Sequence, residues 1–214
     1  MQVQTRTREG RAAVVAIVDD DDSVREALRN LLRSVGYEVQ TFGDPRAFLD
    51  STEARAASCL VLDVRMPAIS GFDLQGELSR RRIEIPVVFM TGFADVPMSV
   101  RAMKAGARDF LPKPFREQDM LDAVAAGVRS DLLRRDTEDR KVALAKRFAQ
   151  LTTREREVMA LATAGMMNKQ IAFELGLSEI TVKIHRGKVM RKMEAKSFAE
   201  LVRLADELGL RGRA

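Results

Sequence analysis

The sequence predicts two folds in series, an α/β doubly wound parallel five-stranded domain followed by an all-α four-helix helix-turn-helix domain. Short apolar runs alternate with helical periodicities through the first part of the chain, and no strand pattern follows residue 150. The charge also changes, because residues 1–130 carry 18 Lys and Arg against 19 Asp and Glu, whereas residues 131–214 carry 18 against 12. We therefore divide the chain into a disordered lead-in (1–12), an α/β domain (13–130), a helical linker (131–150) and a helical domain (151–214).

The α/β domain is predicted from strands and helices that alternate. Ala13–Val18 is a continuous apolar run, typical of a strand covered on both faces. Ser23 and Glu26 have the spacing of a capping box, and Gly36 ends that helix. The five strands are Ala13–Val18, Glu38–Phe42, Cys59–Asp63, Pro86–Thr91 and Asp109–Pro112, and the helices between and after them are Ser23–Val35, Pro45–Ser51, Asp73–Arg81, Pro97–Ala105 and Arg116–Ser130. The expected strand order is 2-1-3-4-5, with the ligand crevice where strands 1 and 3 meet.

The segment 131–150 is dense in charge, carries scattered Leu, Val and Phe, and lacks Pro and Gly. This composition favours a helix over a flexible polar tether, and the helix could continue the preceding one. Beyond it, Thr152 with Glu155 and Ser197 with Glu200 have capping-box spacing. The four helices predicted there are Thr152–Ala164, Asn168–Leu175, Glu179–Met193 and Ser197–Leu208.

Composition also bounds the class of protein. No apolar run approaches the roughly 20 residues that a membrane span needs, and the polar residues 1–11 do not resemble a secretion signal. Cys59 is the single cysteine, so an internal disulfide is impossible and a buried core thiol is expected. We expect a cytoplasmic protein with no membrane partner.

Polar residues follow the strands of the predicted sheet at their carboxyl ends. Because these ends lie along one edge of a parallel sheet, one crevice should collect the acidic run 19–22, Asp63, Thr91 and Lys113. Clustered carboxylates repel one another unless a hard cation neutralises them, and Mg²⁺ (or Mn²⁺) suits such oxygen ligands. Lys113 and Thr91 would stabilise charge on a phosphoryl group, and a carboxylate can itself be the nucleophile that accepts it. Asp21 and Asp22 are interpreted as turn or helix-capping residues.

The helix Glu179–Met193 has an apolar side and a basic side. Val182, Val189 and Met193 share the apolar side. The opposite side is suited to the major groove of DNA, and it carries Lys183, Ile184, Gly187, Lys188 and Arg191. Arg186 lies toward the flank of the apolar side, where a phosphate contact or a structural pair is expected. His185, the only histidine, is interpreted as a packing residue with its hydrogen bonds satisfied.

Four motifs resemble those of response-regulator receivers, and the resemblance spans residues 13–130. They are Ile17-Val18-Asp19-Asp20-Asp21, Leu62-Asp63-Val64-Arg65-Met66-Pro67, Met90-Thr91-Gly92 and Phe110-Leu111-Pro112-Lys113-Pro114-Phe115. The stretch 95–107 resembles the FixJ branch in particular.

The resemblance to receivers implies a role for each matched residue. Asp63 would be the phosphoacceptor. The metal would be bound by Asp63, Asp20 and the Arg65 backbone carbonyl, and by Asp19 through water. Lys113 would pair with the phosphoryl group, and Thr91 with Phe110 would form the switch pair. The bond between Lys113 and Pro114 is expected to be cis.

The stretches 151–158 and 181–186 resemble the LuxR-type helix-turn-helix of the NarL/FixJ family, and this resemblance extends to about residue 208. It implies that Lys183, Ile184 and position 187 face bases, with Lys188 and Arg191 nearer phosphates. Gly187 departs from the pattern because it offers no side chain to a base.

The two resemblances together imply a response regulator that takes a phosphoryl group from a sensor histidine kinase and binds a double-stranded DNA operator. Phosphorylation would remodel residues 97–129, which would then form a homodimer or release the DNA-binding domain. Enzymatic activity is expected only as self-phosphorylation from a phosphodonor and slow self-dephosphorylation. An aspartyl-phosphate hydrolase would need a second Asp at position 65, and a phosphorylation-blind adaptor would lack the acceptor or metal carboxylates.

Two residues near the predicted site depart from close FixJ relatives. Phe93 stands where those relatives often carry His, and Pro112 stands where they often carry Glu. We expect bulky Phe93 and Arg65, which flank the site, to screen the phosphoryl group from attacking water.

Overall fold

The computed structural model describes residues 12–67, 69–93 and 95–210, and the chain divides into two compact units after Arg135. The first unit is built on a five-stranded parallel sheet in the order β2-β1-β3-β4-β5, which confirms the predicted fold. The strands are β1 (Val14–Val18), β2 (Glu38–Phe42), β3 (Cys59–Asp63), β4 (Val87–Thr91) and β5 (Asp109–Pro112). The lead-in predicted for residues 1–12 lies outside the described residues except for Ala12.

Successive residues of the central strands point to opposite faces of the sheet, and each face has its own buried cluster. In β3, Leu60 and Leu62 join the cluster on one face, whereas Cys59 and Val61 join the cluster on the other. All five residues of β3 are buried. Such double-sided burial explains why these strands appear in the sequence as continuous apolar runs.

Five helices and the start of a sixth cover the sheet. They are α1 (Asp22–Ser34), α2 (Pro45–Asp50), α3 (Glu53–Ala56), α4 (Gly71–Arg80), α5 (Val96–Lys104) and α6 (Glu117–Ala149). The predicted capping box of Ser23 and Glu26 is wrong, because the Asp21 carboxylate caps α1 by accepting hydrogen bonds from the backbone N–H groups of Ser23 and Val24. Asp21 thus has the capping role that the sequence predicted.

The helix α6 is 33 residues long and runs through the segment 131–150 without a break. Its N-terminal part packs on the sheet of the first unit through Met120, Val124 and Val128. Leu144 and Phe148, near its C-terminus, pack in the core of the second unit. Among the described residues, no helix is long and apolar enough to cross a membrane.

The second unit consists of the end of α6 and four further helices, α7 (Thr153–Thr163), α8 (Asn168–Leu175), α9 (Glu179–Lys192) and α10 (Phe198–Glu207). The predicted capping box of Thr152 and Glu155 is present. Only half of the second predicted box forms, because Ser197 accepts from the Glu200 N–H while the Glu200 carboxylate accepts from the N–H of Lys196. Gly176 ends α8 in the left-handed conformation (φ 64°), and Ser178 caps α9.

Candidate phosphorylation site and DNA-binding surface

The carboxyl edge of the sheet brings together the side chains that the sequence singled out there. Asp19 directly follows β1, and Asp63 and Thr91 are the last residues of β3 and β4. The backbone N–H of Lys113 donates to the Thr91 carbonyl oxygen at 2.7 Å, which holds the residue after β5 beside the end of β4. The Lys113–Pro114 peptide bond is cis, as the resemblance implied.

One ammonium group joins the two buried carboxylates of this edge. Lys113 Nζ donates to Asp19 Oδ2 and to Asp63 Oδ1, each at 2.8 Å. The second oxygen of Asp63 accepts from the backbone N–H of Arg65 at 2.7 Å, and Asp19 Oδ1 accepts from the N–H of Asp21 at 2.8 Å. Asp63 is therefore held in one orientation by a cation on one oxygen and a peptide dipole on the other.

Burial and charge act in opposite directions on this pair. Burial raises the pKa of Asp63 above its ordinary value of 3.8, although the hydrogen bond and charge of Lys113 oppose that rise. Burial also opposes protonation of Lys113, but the hydrogen bonds to Asp19 and Asp63 outweigh it and raise the pKa of Lys113 above 10.5. Lys113 therefore stays a cation at neutral pH and remains available to a phosphoryl oxygen.

The three carboxylates predicted to bind a metal are not all gathered in this arrangement. Asp19 and Asp63 share the ammonium of Lys113, whereas Asp20 is exposed at the rim. Within the part of the chain that the structure describes, no group of three His, Cys, Asp or Glu side chains is close enough to hold a metal ion. The donor set nevertheless suits a hard divalent cation in its chemistry, because two buried carboxylates lie together and Asp20 directly follows one of them in the sequence.

The two predicted switch residues lie on neighbouring strands, Thr91 at the end of β4 and Phe110 beside Phe89, two residues before that end. Thr91 is buried, and its Oγ1 accepts from the backbone N–H of Phe93 at 3.3 Å. Phe110 is half-buried and packs against the cluster on one face of the sheet. The hydroxyl thus lies at the carboxyl edge, and the ring lies on the adjacent strand two residues before it.

Arg65 and Phe93 contact each other above the loops that flank this edge. The Arg65 guanidinium carbon lies 4.6 Å from the centroid of the Phe93 ring, and Phe93 is 69% exposed. The geometry is that of a cation–π contact. The predicted screen of two bulky residues is therefore a contacting pair, exposed to solvent on its outer side.

Sequence reasoning missed Arg25, which organises the acidic loop. Its Nη1 donates to the backbone carbonyl oxygen of Asp19 at 2.6 Å, and its guanidinium pairs with the exposed Asp22. It also lies against Gly43, where an added Cβ would be 3.2 Å from Nη1. The signal was its position one turn into a helix that begins only three residues after Asp19, because so short a loop places that turn above the loop.

The helix α9 presents the two sides that its sequence predicted. Val182, Val189 and Met193 are buried. The candidate DNA-contacting residues are exposed, namely Lys183, Ile184, Gly187, Lys188 and Arg191. Gly187 has open space where a Cβ would stand.

Two other residues of α9 serve its packing. Arg186 donates to Asn168 Oδ1 at 2.6 Å and lies over the ring of Phe198, 4.8 Å from its centroid, which agrees with a structural pair. His185 is half-buried as expected, but its Nδ1 is buried without a hydrogen-bond partner among the described residues. The prediction that its hydrogen bonds are satisfied is therefore wrong for this atom.

Comparisons with known proteins agree with both units. Residues 15–125 match the family described as "Response regulator receiver domain", and residues 149–205 match "Bacterial regulatory proteins, luxR family". These matches define a class of protein, a response regulator with a receiver domain and a LuxR-type DNA-binding domain that acts as a transcription regulator.

The relatives narrow that class. Nodulation protein W of Bradyrhizobium diazoefficiens is 53% identical over 95% of this chain and 90% of its own length. The transcriptional regulatory protein FixJ of Azorhizobium caulinodans is 45% identical over 89% of this chain and 90% of its own length. The solved structure of the response regulator StyR matches with a TM-score of 0.85 at 50% identity, over 91% of this chain and 98% of that one. The chain belongs to the NarL/FixJ family of response regulators.

Proposed function

We propose that Asp63 accepts a phosphoryl group from a sensor histidine kinase and that this modification regulates sequence-specific binding of α9 to DNA. The observation that carries the proposal is the ammonium of Lys113, shared at 2.8 Å between Asp63 and Asp19 at the carboxyl edge of the sheet. A cation so placed can neutralise charge that arrives on Asp63. With its DNA partner, the protein would act in the cytoplasm.

In the transfer, an oxygen of Asp63 attacks the phosphorus, an oxygen–phosphorus bond forms, and the bond from phosphorus to the donor breaks. Lys113 then exchanges its contact with the carboxylate for one with a phosphoryl oxygen. Asp19, Asp20, Asp63 and the Arg65 backbone carbonyl would hold Mg²⁺ (or Mn²⁺), which would further neutralise the phosphoryl charge. Beyond this self-phosphorylation and slow self-dephosphorylation, we assign the chain no enzymatic turnover.

The switch follows from the placement of Thr91 and Phe110. When a phosphoryl group is present, the Thr91 hydroxyl turns from the N–H of Phe93 toward the new oxygens, and the half-buried Phe110 ring fills the space that it leaves. The hydroxyl and the ring would each have two positions, and phosphorylation of Asp63 would shift the protein from one pair of positions to the other.

The surface that responds to this switch is proposed to be residues 97–129. Val96 directly precedes it and is the first residue of α5. Val96, Val100 and Met103 recur at the spacing of one helical face of α5 and are 76%, 45% and 51% exposed. An apolar stripe of this kind is typical of an interface. It supports phosphorylation-promoted homodimerisation over release of an occluded DNA-binding domain.

The dimer would present two copies of α9 to adjacent half-sites of a double-stranded operator. Lys183 and Ile184 would contact base edges, and Lys188 and Arg191 would contact phosphates. Gly187 leaves a gap in this face, so its contribution is close approach of the backbone to DNA. Arg186, engaged by Asn168 and Phe198, supports the helix.

Intact mass after incubation with acetyl phosphate and Mg²⁺ tests the proposal. The wild-type protein should gain one phosphoryl group while acetate leaves, and the gain should require the metal and vanish in Asp63→Asn. Asp73→Asn is a matched control, because it makes the same change in the capping box of α4 and should leave phosphorylation intact. A wild-type protein that gains no mass, or an adduct that survives in Asp63→Asn, would exclude Asp63 as the phosphoacceptor.

A further inference from the structure

A further buried carboxylate, Asp131, lies outside the phosphorylation site. Its side chain is completely buried, and its two oxygens accept from two arginines of the next turn of α6. Arg134 Nη2 donates to Oδ1 and Arg135 Nε donates to Oδ2, each at 2.6 Å. Burying a carboxylate is costly even when it is paired, and an apolar residue of similar volume is often as stabilising. Stability alone therefore does not explain this buried group, whereas a role in fixing a position would.

Arg135 uses a second guanidinium nitrogen to hold another element. Its Nη2 donates to the carbonyl oxygens of Arg55 and Ala56 at 3.3 Å and of Ala57 at 2.9 Å. These carbonyls lie at the C-terminal end of α3, where a cation is favourable. Ala57 leads directly through Ser58 into β3, the strand that ends in Asp63. Arg135 therefore ties α6 to the segment from which the phosphoacceptor strand begins.

A close contact one turn earlier shows how tightly α6 is seated on that strand. A Cβ added at Gly127 would lie 2.7 Å from Sγ of Cys59, the first residue of β3. Positions 127, 131 and 135 lie on one face of the helix because they are four residues apart. That face of α6 is thus fixed along the start of β3 as far as Arg135.

Arg135 is also the last residue of the first unit, and residue 136 begins the second. Every change that passes along α6 from the first unit must pass through this position. We infer that Asp131 and Arg135 are positioning residues that make the end of α6 move with β3, so that phosphorylation of Asp63 is transmitted to the DNA-binding unit. This inference rests on the function proposed above.

The experiment measures how much phosphorylation improves DNA binding by the full chain. The probe is a duplex selected by the phosphorylated wild-type protein from a random pool, and its dissociation constant is measured with and without acetyl phosphate and Mg²⁺. For wild type we expect a gain in affinity on the order of 10-fold, within the usual range of coupling between sites. Arg135→Ala and Asp131→Asn should bring that gain down to about 1–2-fold while intact mass shows normal phosphorylation.

Arg140→Ala is the matched control, because Arg140 pairs with Asp136 at the same spacing in the same helix, 2.7 Å apart. It should keep the wild-type gain. Arg135→Ala carries the test if Asp131→Asn does not fold, because Arg135 is partly exposed and Asp131 keeps its bond to Arg134. A purely stabilising role would lower the melting temperature and leave the gain unchanged.

The outcomes separate the two hypotheses. A wild-type gain that Arg135→Ala retains would overturn the positioning role alone, and so would an equal loss in Arg140→Ala. A wild-type protein that is phosphorylated but shows no gain would overturn the proposed regulation of DNA binding, and the inference would fall with it.

Discussion

Asp63 and Asp131, both buried in the first unit, are neutralised in ways that suit different tasks. Asp63 shares a single flexible ammonium with Asp19, and Lys113 can turn from one oxygen to another without breaking a planar fork. Asp131 is held by two guanidinium groups, one of which also holds three backbone carbonyls. Residue chemistry thus suits Asp63 to the proposed change of partners and Asp131 to a fixed arrangement.

At the same scale, the contact between Arg65 and Phe93 predicts the lifetime of the phosphorylated state. Phe93→Ala removes the ring on which the Arg65 guanidinium rests, so both parts of the expected screen of Asp63 would be lost. An exposed cation–π contact is worth about 0.5–1 kcal/mol, so dephosphorylation should quicken by roughly 2–5-fold. The measurement is the decay of the phosphorylated mass after the phosphodonor is removed.

Phe173→Ala is the control for Phe93→Ala, because it truncates an exposed phenylalanine of the second unit that has no contact with Arg65 among those described. It should leave the decay unchanged. Equal decay rates for wild type and Phe93→Ala would show that water reaches the phosphoryl group by another path.

At the scale of elements, the sequence predicted the order and type of the strands and helices better than their ends. β3 and β4 could be predicted because burial on both faces makes them continuous apolar runs. The start of α1 was misplaced because Ser23 and Asp21 both have capping side chains, and only the path of the loop selects Asp21. The short α3 was missed because four residues show no periodicity.

Some residues of the candidate site could likewise be predicted from the sequence and others could not. Strand ends bring Asp19, Asp63 and Lys113 together, so topology alone placed them, and the structure joins them by direct hydrogen bonds. Arg25 and Arg135 act through backbone carbonyls of other elements. A contact to a carbonyl leaves no trace in the identity of the partner residue, and therefore no sequence motif revealed them.

Two glycines inside helices should respond oppositely to the same substitution. Gly187→Ala adds a methyl group to open space on α9 and should stabilise that helix by about 0.5–1 kcal/mol, because alanine loses less backbone entropy. Gly127→Ala forces a methyl group against Sγ of Cys59 and should destabilise the packing of α6 on β3 by roughly 1–3 kcal/mol.

Hydrogen exchange measured by mass spectrometry on peptides of each helix gives both local stabilities in one experiment. Slower exchange in α9 for Gly187→Ala and faster exchange in α6 for Gly127→Ala are expected. A Gly127→Ala protein with wild-type exchange would show that α6 can shift from β3 at little cost, and that it is less firmly seated than the distance of 2.7 Å indicates.

At the scale of the whole molecule, each unit has its own buried cores, and the charge is divided between them. The stretch of α6 from residue 134 to 141 contains no apolar residue. If α6 of one copy packed beside α6 of a second copy, the two helices would bury no apolar surface over this stretch. Such a pair of linkers would therefore contribute little to the stability of a dimer. The exposed apolar stripe on α5 is the better candidate for the contact between two copies.

This stripe predicts the effect of a single charge on assembly. In Met103→Glu, a dimer formed through α5 would bury two unpaired carboxylates, one from each copy, and should weaken by on the order of 10-fold or more. Sedimentation velocity of the phosphorylated protein should show a concentration-dependent dimer for wild type and a monomer for the variant, with equal phosphorylation of both by intact mass. Met167→Glu is the matched control, since Met167 is a similarly exposed methionine in the second unit. A Met103→Glu protein that dimerises like wild type would place the contact elsewhere within residues 97–129, whereas a phosphorylated wild-type protein that stays monomeric would favour release of the DNA-binding domain.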